Sequence, residues 1–267
     1  MNDMRPSEPE HLTALIEAVR ARTPARIFVG RTGPAYGTQT QLNLRADHAA
    51  ARDAVWTEID LQRDLGSDFV QRFGLFEVWT SATSKEDYLL RPDLGRQFDE
   101  HSCEILPQQC RSGADLHVFI GDGLSAAAVA AQVPALLPSL LERARAEGWT
   151  VGQPFFVRHC RVGVLNHVGE LLNPLVAVLL IGERPGLATA QSLSAYMAYR
   201  PRQGDTDARR NLISNIHARG VSIDDAVRRI LALAKLMRQA GSSGIEVKEE
   251  LLADRLLTPP GQDKLGA

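Results

Sequence analysis

Apolar and polar residues alternate with one rhythm before Gly113 and with another after it. In the first part the apolar positions recur at helical spacing. Leu12, Leu15, Ile16 and Val19 share one face of a helix predicted over 10–22, which Thr23-Pro24 ends. "RIFVGRTGPAYGT" (26–38) runs from a brief apolar stretch into a Gly/Pro loop. A polar-rich helix is predicted over 39–58, and weaker helical signals continue to Gly74. "LFEVWTSA" (75–82) is strand-like, and "RPDLGRQFDEHSCEIL" (91–106) predicts a helix with Pro92 near its start.

Beyond Gly113 the runs become shorter and more apolar. "DLHVFIGDGLSAAAVAAQ" (115–132) reads as strand, glycine turn and helix, and "PSLLERARAEG" (138–148) as a second helical piece with Pro138 in its first turn. "PFFVRHCRVGVLNHVGELL" (154–172) mixes short β-like runs with turns. In "PLVAVLLIGERPG" (174–186), the apolar run from Leu175 to Ile181 has the pattern of a strand buried on both faces. "SLSAYMAYRPR" (192–202) is a further strand candidate. The strongest helix spans 222–240: Ser222 caps it, Asp225 takes the capping-box position, Ile223, Ala226, Val227, Ile230, Leu231, Ala234 and Met237 line one face, and Gly241 stops it. The last dozen residues look frayed. Strands alternating with helices predict an α/β fold with a parallel sheet over roughly 110–245. A smaller, mostly helical region precedes it, which divides the chain into 1–110 and 111–267.

Composition narrows the function classes. With 267 residues, 44% of them hydrophobic, the chain can form one or two domains with real cores. A formal net charge of −2 gives no pull toward nucleic acid or an anionic membrane. No stretch approaches the roughly 20 apolar residues of a membrane span. The first twelve residues lack the apolar core of a secretory signal. Cys103, Cys110 and Cys160, odd in number and without a C-x-x-C, suggest reduced thiols and a cytoplasmic protein.

Two glycine turns at strand ends are the candidate binding sites. Ligands of open α/β sheets sit beyond the carboxyl ends of strands. Gly182-Glu183-Arg184-Pro185-Gly186 offers an acid and a base there, with Gly182 allowing close approach and Pro185 stiffening the loop. The bland alternative is a solvated turn. "VFIGDGLSA" (118–126) repeats the construction and fits a dinucleotide fingerprint as Gly121, Gly123 and Ala126. Its partner acid is poorly supplied, because Glu142 has the right separation but lies in a predicted helix. A stand-alone dehydrogenase using Gly121–Gly123 is therefore one reading, and a tight strand–helix turn the other. Asp115-x-His117 followed by Gly121 nearly matches a corrinoid signature in which histidine ligates cobalt, but the glycine arrives one residue late, and a packed strand histidine explains His117. The histidine and cysteine spacings give no metal site. No nucleophile elbow or P-loop is present, so no catalytic residue is visible. Arg158, Glu170, Glu183, Arg184, Asn211, Ser214, Asn215 and His217 are polar groups of the kind that bind a large amide-bearing ligand or a second subunit.

The chain resembles the small (light) subunit of ethanolamine ammonia-lyase. The resemblance is carried in order by "RIFVGRTGP", "ADHAAARDAV", "LLRPDLGRQ", "GDGLSA", "VGQPFFVRHCRV", "LLIGERPGL", "SLSAYMAYRPR" and "ISNIHARG". It implies a Rossmann-like C-terminal domain after a helical N-terminal region, and conversion of ethanolamine to acetaldehyde and ammonia with adenosylcobalamin. It also implies a large-subunit partner, a TIM barrel that holds ethanolamine, in a hetero-oligomer of six large and six small chains. The cofactor keeps its own lower ligand, so no protein histidine to cobalt is expected. A cytoplasmic location follows, with packaging into a bacterial microcompartment left open. The family's cobalamin contacts transfer to Val162 of "CRVG", Glu183 of "GERPG" and the position before "ISNIH". The last is cysteine in relatives and Leu212 here, which leaves that contact open unless the backbone makes it. "GPAYGTQT" lacks arginines that relatives carry, and their role does not transfer.

Overall fold

The computed structural model describes residues 8–22, 27–186 and 188–249. The first residues and the last dozen, for which a missing signal and a frayed end are expected, lie in part or wholly outside them. Helix α1 (Glu8–Ala21) leads through a short hairpin, β1 (Arg31–Thr32) and β2 (Ala35–Tyr36), to α2 (Thr38–Trp56). No residue of α2 is buried. Then follow α3 (Ser67–Phe73), β3 (Glu77–Trp79), α4 (Lys85–Leu90) and α5 (Glu100–Gln109). The second half runs β4 (Leu116–Gly121), α6 (Ala126–Ala146), β5 (Phe156–Arg158), α7 (Val164–Leu172), β6 (Val176–Gly182), β7 (Leu193–Tyr199), β8 (Asn211–Ile216) and α8 (Ile223–Ala240).

One six-stranded sheet takes the order β3-β5-β4-β6-β7-β8. Its first four strands are parallel, while β7 runs antiparallel to both β6 and β8. The sheet is therefore mixed, which corrects the all-parallel expectation. The connection from β6 to β7 is a short loop rather than a crossover helix, so β7 must turn back. Strand β3 comes from the first 110 residues, and Ile59, Leu61, Leu65, Val70 and Leu75 join the same core as the central strands.

Local chemistry explains most elements. Strands β4 and β6 are buried at every position, as central strands with helices on both faces must be. In α8 the Ser222 hydroxyl accepts the Asp225 N–H, and Gly241 closes the helix in the left-handed conformation at φ +63°. Three sequence expectations need correction. The helix placed over 91–106 does not start at Pro92, because Asp99 caps α5 by accepting the Ser102 N–H, and the residues before it form a turn and a short 3-10 helix, Leu94–Arg96, instead. Helix α6 does not restart at Pro138; it continues through Pro134 and Pro138. The fully buried Val133, Leu136, Leu137, Leu140, Leu141 and Ala144 hold its axis across the two missing hydrogen bonds. Helix α7 occupies part of what reads as turns.

The two faces of the sheet are covered unequally. Helices α6 and α8, of 21 and 18 residues, pack on one face over Val118, Val178, Ala195 and Ile213. On the other face α5 and α7, of 10 and 9 residues, pack over Phe119, Ala177 and Leu179. Tyr196 of β7 stays half-buried there, and Leu212 of β8 is 44% exposed. The shorter helices leave the β7–β8 side of that face open.

Candidate functional site

A concavity of about 330 Å³ opens at this uncovered corner, where the carboxyl ends of β4 and β6 meet β7 and β8. Val162 reaches it from the β5–α7 connection, Glu183 from the first position after β6, and Leu212 from β8, so three residues far apart in the chain line one cavity. Tyr88, Arg161, Ser194 and Tyr196 line it too and were not singled out from the sequence. A signal for two of them was present: Ser192, Ser194 and Tyr196 put a polar group at every second position of an apolar strand, hence on one face.

Glu183 is held by its neighbours before any ligand arrives. Ser192 Oγ donates to Oε2 at 2.7 Å, Ser194 Oγ donates to Oε1, and the Asn215 backbone N–H donates to Oε1 at 3.1 Å. A carboxylate has about four acceptor positions. Three are taken, and one is left for the cavity. Arg184 is exposed at the rim, with no hydrogen bond or ion pair to any described residue.

The opposite wall is rigid. Asp122, only 5% exposed, accepts the backbone N–H groups of His159 and Cys160, each at 2.8 Å. Burial pushes the Asp122 carboxyl up, and the ammonium of buried Lys85 opposes that rise. Tyr88 donates its hydroxyl to the Cys160 carbonyl at 3.1 Å, and burial raises its ionisation range. Arg161 lies 4.2 Å over the Tyr88 ring and donates to the Tyr88 carbonyl at 2.8 Å. Burial, then Asp122, pushes the Cys160 thiol well up, so it stays protonated and inert. No histidine lines the cavity among the described residues. Such a site can bind and orient a ligand; it offers no poised nucleophile or base.

The glycines serve packing rather than ligand approach. A Cβ on Gly182 would lie 2.2 Å from the Ser125 carbonyl oxygen, and one on Gly123 would lie 2.3 Å from the Gly182 carbonyl oxygen. The strand–helix turn after β4 thus fills the space expected to admit a ligand at Gly182. That also closes the dinucleotide seat. Leu124 N–H bonds to Gly182 O at 3.1 Å, and Ser125, the cap of α6, donates to Ala190 O at 2.5 Å. The turn and the cap of α6 thus spend these groups on the chain's own carbonyls rather than on a ligand.

The larger polar set does not converge. Arg158 pairs bidentately with Glu77 at the β3 edge, Glu170 accepts the Gln203 N–H, and Asn211 bonds to Gly244 and Val247. Of that set only Glu183 and Arg184 line the cavity, with Asn215 supplying its backbone N–H to Glu183. His117 is fully buried, donates from Nε2 to Gln153 O at 2.9 Å, and burial lowers it to about 4. No helix among the described residues is long and apolar enough to cross a membrane.

Comparison with known proteins gives one family. The family model for the ethanolamine ammonia-lyase light chain matches residues 13–248. The chain is 42% identical over 230 residues to the ethanolamine ammonia-lyase small subunit of Clostridium perfringens, covering 86% of this chain and 76% of that one. It is 39% identical over 233 residues to the small subunit of Clostridium acetobutylicum, covering 87% and 94%. Against the small subunit of Fusobacterium nucleatum it is 42% identical over 229 residues, covering 86% and 76%.

Proposed function

The chain belongs to the ethanolamine ammonia-lyase light-chain family, and on that premise we propose that it is the small subunit of an adenosylcobalamin-dependent ethanolamine ammonia-lyase, closing the cofactor site against a large subunit. The observation that carries the reading is the convergence of Val162, Glu183 and Leu212 on one cavity.

The donor set fits a corrinoid's edge. Glu183 keeps an acceptor position free for a carboxamide N–H or a ribose hydroxyl. Val162, Tyr196 and Leu212 offer apolar surface to a macrocycle, and Leu212 supplies van der Waals contact where relatives carry cysteine. A corrinoid is far larger than about 330 Å³, so most of it would lie outside this chain, against the large subunit. Adenosylcobalamin, when bound, would supply the radical chemistry. This chain's part is to bind the cofactor's rim, hold Glu183 in one orientation through Ser192 and Ser194, and exclude water from one side. The substrate and the reacting carbon belong to the partner in this reading, and activity requires both chains. The assembly of six large and six small chains, and packaging in a microcompartment, extend the same proposal. Free thiols at Cys103, Cys110 and Cys160 fit a reducing cytoplasm.

The test is cobalamin affinity of the reconstituted two-chain complex. Glu183→Ala removes a charge-assisted hydrogen bond and is expected to weaken binding about ten- to hundredfold. Native affinity in the variant would mean that the chain is a structural partner that never touches the cofactor.

A further inference from the structure

A second cavity lies on the same uncovered face, across the Val162–Gly163 corner from Glu183. It has a volume of about 430 Å³ and is walled by Arg96 and Gln97, by Gly163 and Asn166 around the start of α7, and by residues of the β7–β8 connection. Two links join the cavities. Val162 lines the first and Gly163 the second. Arg210 of the second lies near Tyr196 of the first.

This basin holds unused hydrogen-bonding capacity. The Arg210 side chain is only 7% exposed; it pairs with Asp207, donates to Asn166 Oδ1 at 3.1 Å, and leaves its Nε–H without a partner. Arg96, Gln97, Gln203 and Thr206 also line it, and none of their side chains hydrogen-bonds or ion-pairs with a described residue. The charges decide what could enter. Asp93, Asp205 and Asp207 set three carboxylates against the guanidiniums of Arg96 and Arg210. A phosphate or carboxylate would meet no net positive charge here. A neutral group with both a donor and an acceptor meets free partners of both kinds.

We propose that this basin is a second subsite for the ligand that reaches Glu183, and that it takes neutral carboxamide arms. The assignment rests on the cobalamin reading, since a corrin carries such arms on its periphery. The ligand then spans from Glu183 across the Val162–Gly163 corner to Arg96 and Gln203.

Equilibrium dialysis of cyanocobalamin against the reconstituted two-chain complex tests it. Arg96 and Gln203 are exposed, so Arg96→Ala and Gln203→Ala leave the fold intact. Each is expected to weaken binding about five- to tenfold, one hydrogen bond's worth. A series of cobalamins with one peripheral carboxamide each hydrolysed to the acid supplies the second arm. One member should bind the native complex weakly, and that loss should shrink in Gln203→Ala. Native affinity in both basin variants alongside weakened binding in Glu183→Ala would overturn the subsite and leave the cobalamin reading standing. Unchanged binding in all three would overturn both. Losses that add for every analogue would trace the basin variants to assembly with the large chain, and would also overturn the subsite.

Discussion

Two adjacent strands, β4 and β6, end in the same way: an apolar run, a glycine, an acid, then a turn. Their acids have opposite fates. Asp122 is sealed beneath the β5–α7 connection and takes its backbone N–H groups. Glu183, one strand over, is half-buried, fixed by two serines, and lines a cavity. The difference comes from what covers each strand end. The connection carrying His159 and Cys160 closes over the first. The second lies beside the start of α7, where β7 turns back, and among the described residues it borders an open cavity. An acid at a strand end is therefore a support or a contact according to its neighbours, not its motif.

The largest effect expected from breaking this comparison is at Asp122. Asp122→Ala leaves two buried N–H groups without an acceptor and removes the counter-charge of Lys85, costing about 3 kcal/mol of stability. Asp122→Asn keeps one acceptor oxygen and should cost about half as much. A thermal melt of each variant checks this. An Asp122→Ala chain as stable as the native one would make Asp122 as dispensable to the fold as a surface acid.

Acid titration of stability needs His117 accounted for first. Burial lowers His117 to about 4 from 6.5. The unfolded chain binds its proton between those values and the folded chain does not. Stability therefore rises with pH through that window and is lost as pH falls from 6.5 toward 4, by up to about 3 kcal/mol. Denaturant melts of native and His117→Gln chains across pH 4–7 should show the slope flattened in the variant. Equal slopes would assign the acid loss to other groups and remove this correction from the comparison.

The glycines sharpen the contrast next. Gly123 has φ +58°, and a Cβ there would lie 2.3 Å from Gly182 O. Gly123→Ala should cost more than about 2 kcal/mol, combining left-handed strain with a backbone displacement. Gly186, in the second turn, has no neighbour closer than 3.9 Å to an added Cβ. Gly186→Ala should change stability by less than about 0.5 kcal/mol. Similar melting temperatures for the two variants would mean that the first turn is as loose as the second.

What the sequence revealed follows the same division between local and tertiary causes. Strands β4 and β6 and the capped helix α8 could be read because their apolar runs and caps are local patterns. Helix α7 was hidden because "VLNHVGELL" contains Gly169, which exists for a tertiary reason: a Cβ there would sit 1.8 Å from Pro201 O. Strand β8 was hidden because only Ile213 and Ile216 are buried in it, as suits an edge. Asp122 and Glu183 look alike in sequence because the neighbours that separate them are distant in the chain, His159 37 positions from Asp122 and Asn215 32 from Glu183. The three proposed cofactor contacts came from resemblance, and their shared cavity needed the fold.

Of the two acids Glu183 has the smaller expected effect on stability, and it makes the comparison decisive. Replacing Glu183 with Ala frees the Ser192 and Ser194 hydroxyls and one backbone N–H of Asn215. Unlike the donors to Asp122, Ser194 lines an open cavity, so solvent can replace part of the lost bonding. Glu183→Ala should therefore shift stability by under about 1 kcal/mol, while cobalamin affinity of the two-chain complex falls by the larger factor given above. Melting and dialysis on one preparation separate the possibilities. A stable chain with weakened binding makes Glu183 the contact and Asp122 the support. A Glu183→Ala chain destabilised as much as Asp122→Ala would reduce both acids to one structural role, and the open corner would lose its claim on a ligand.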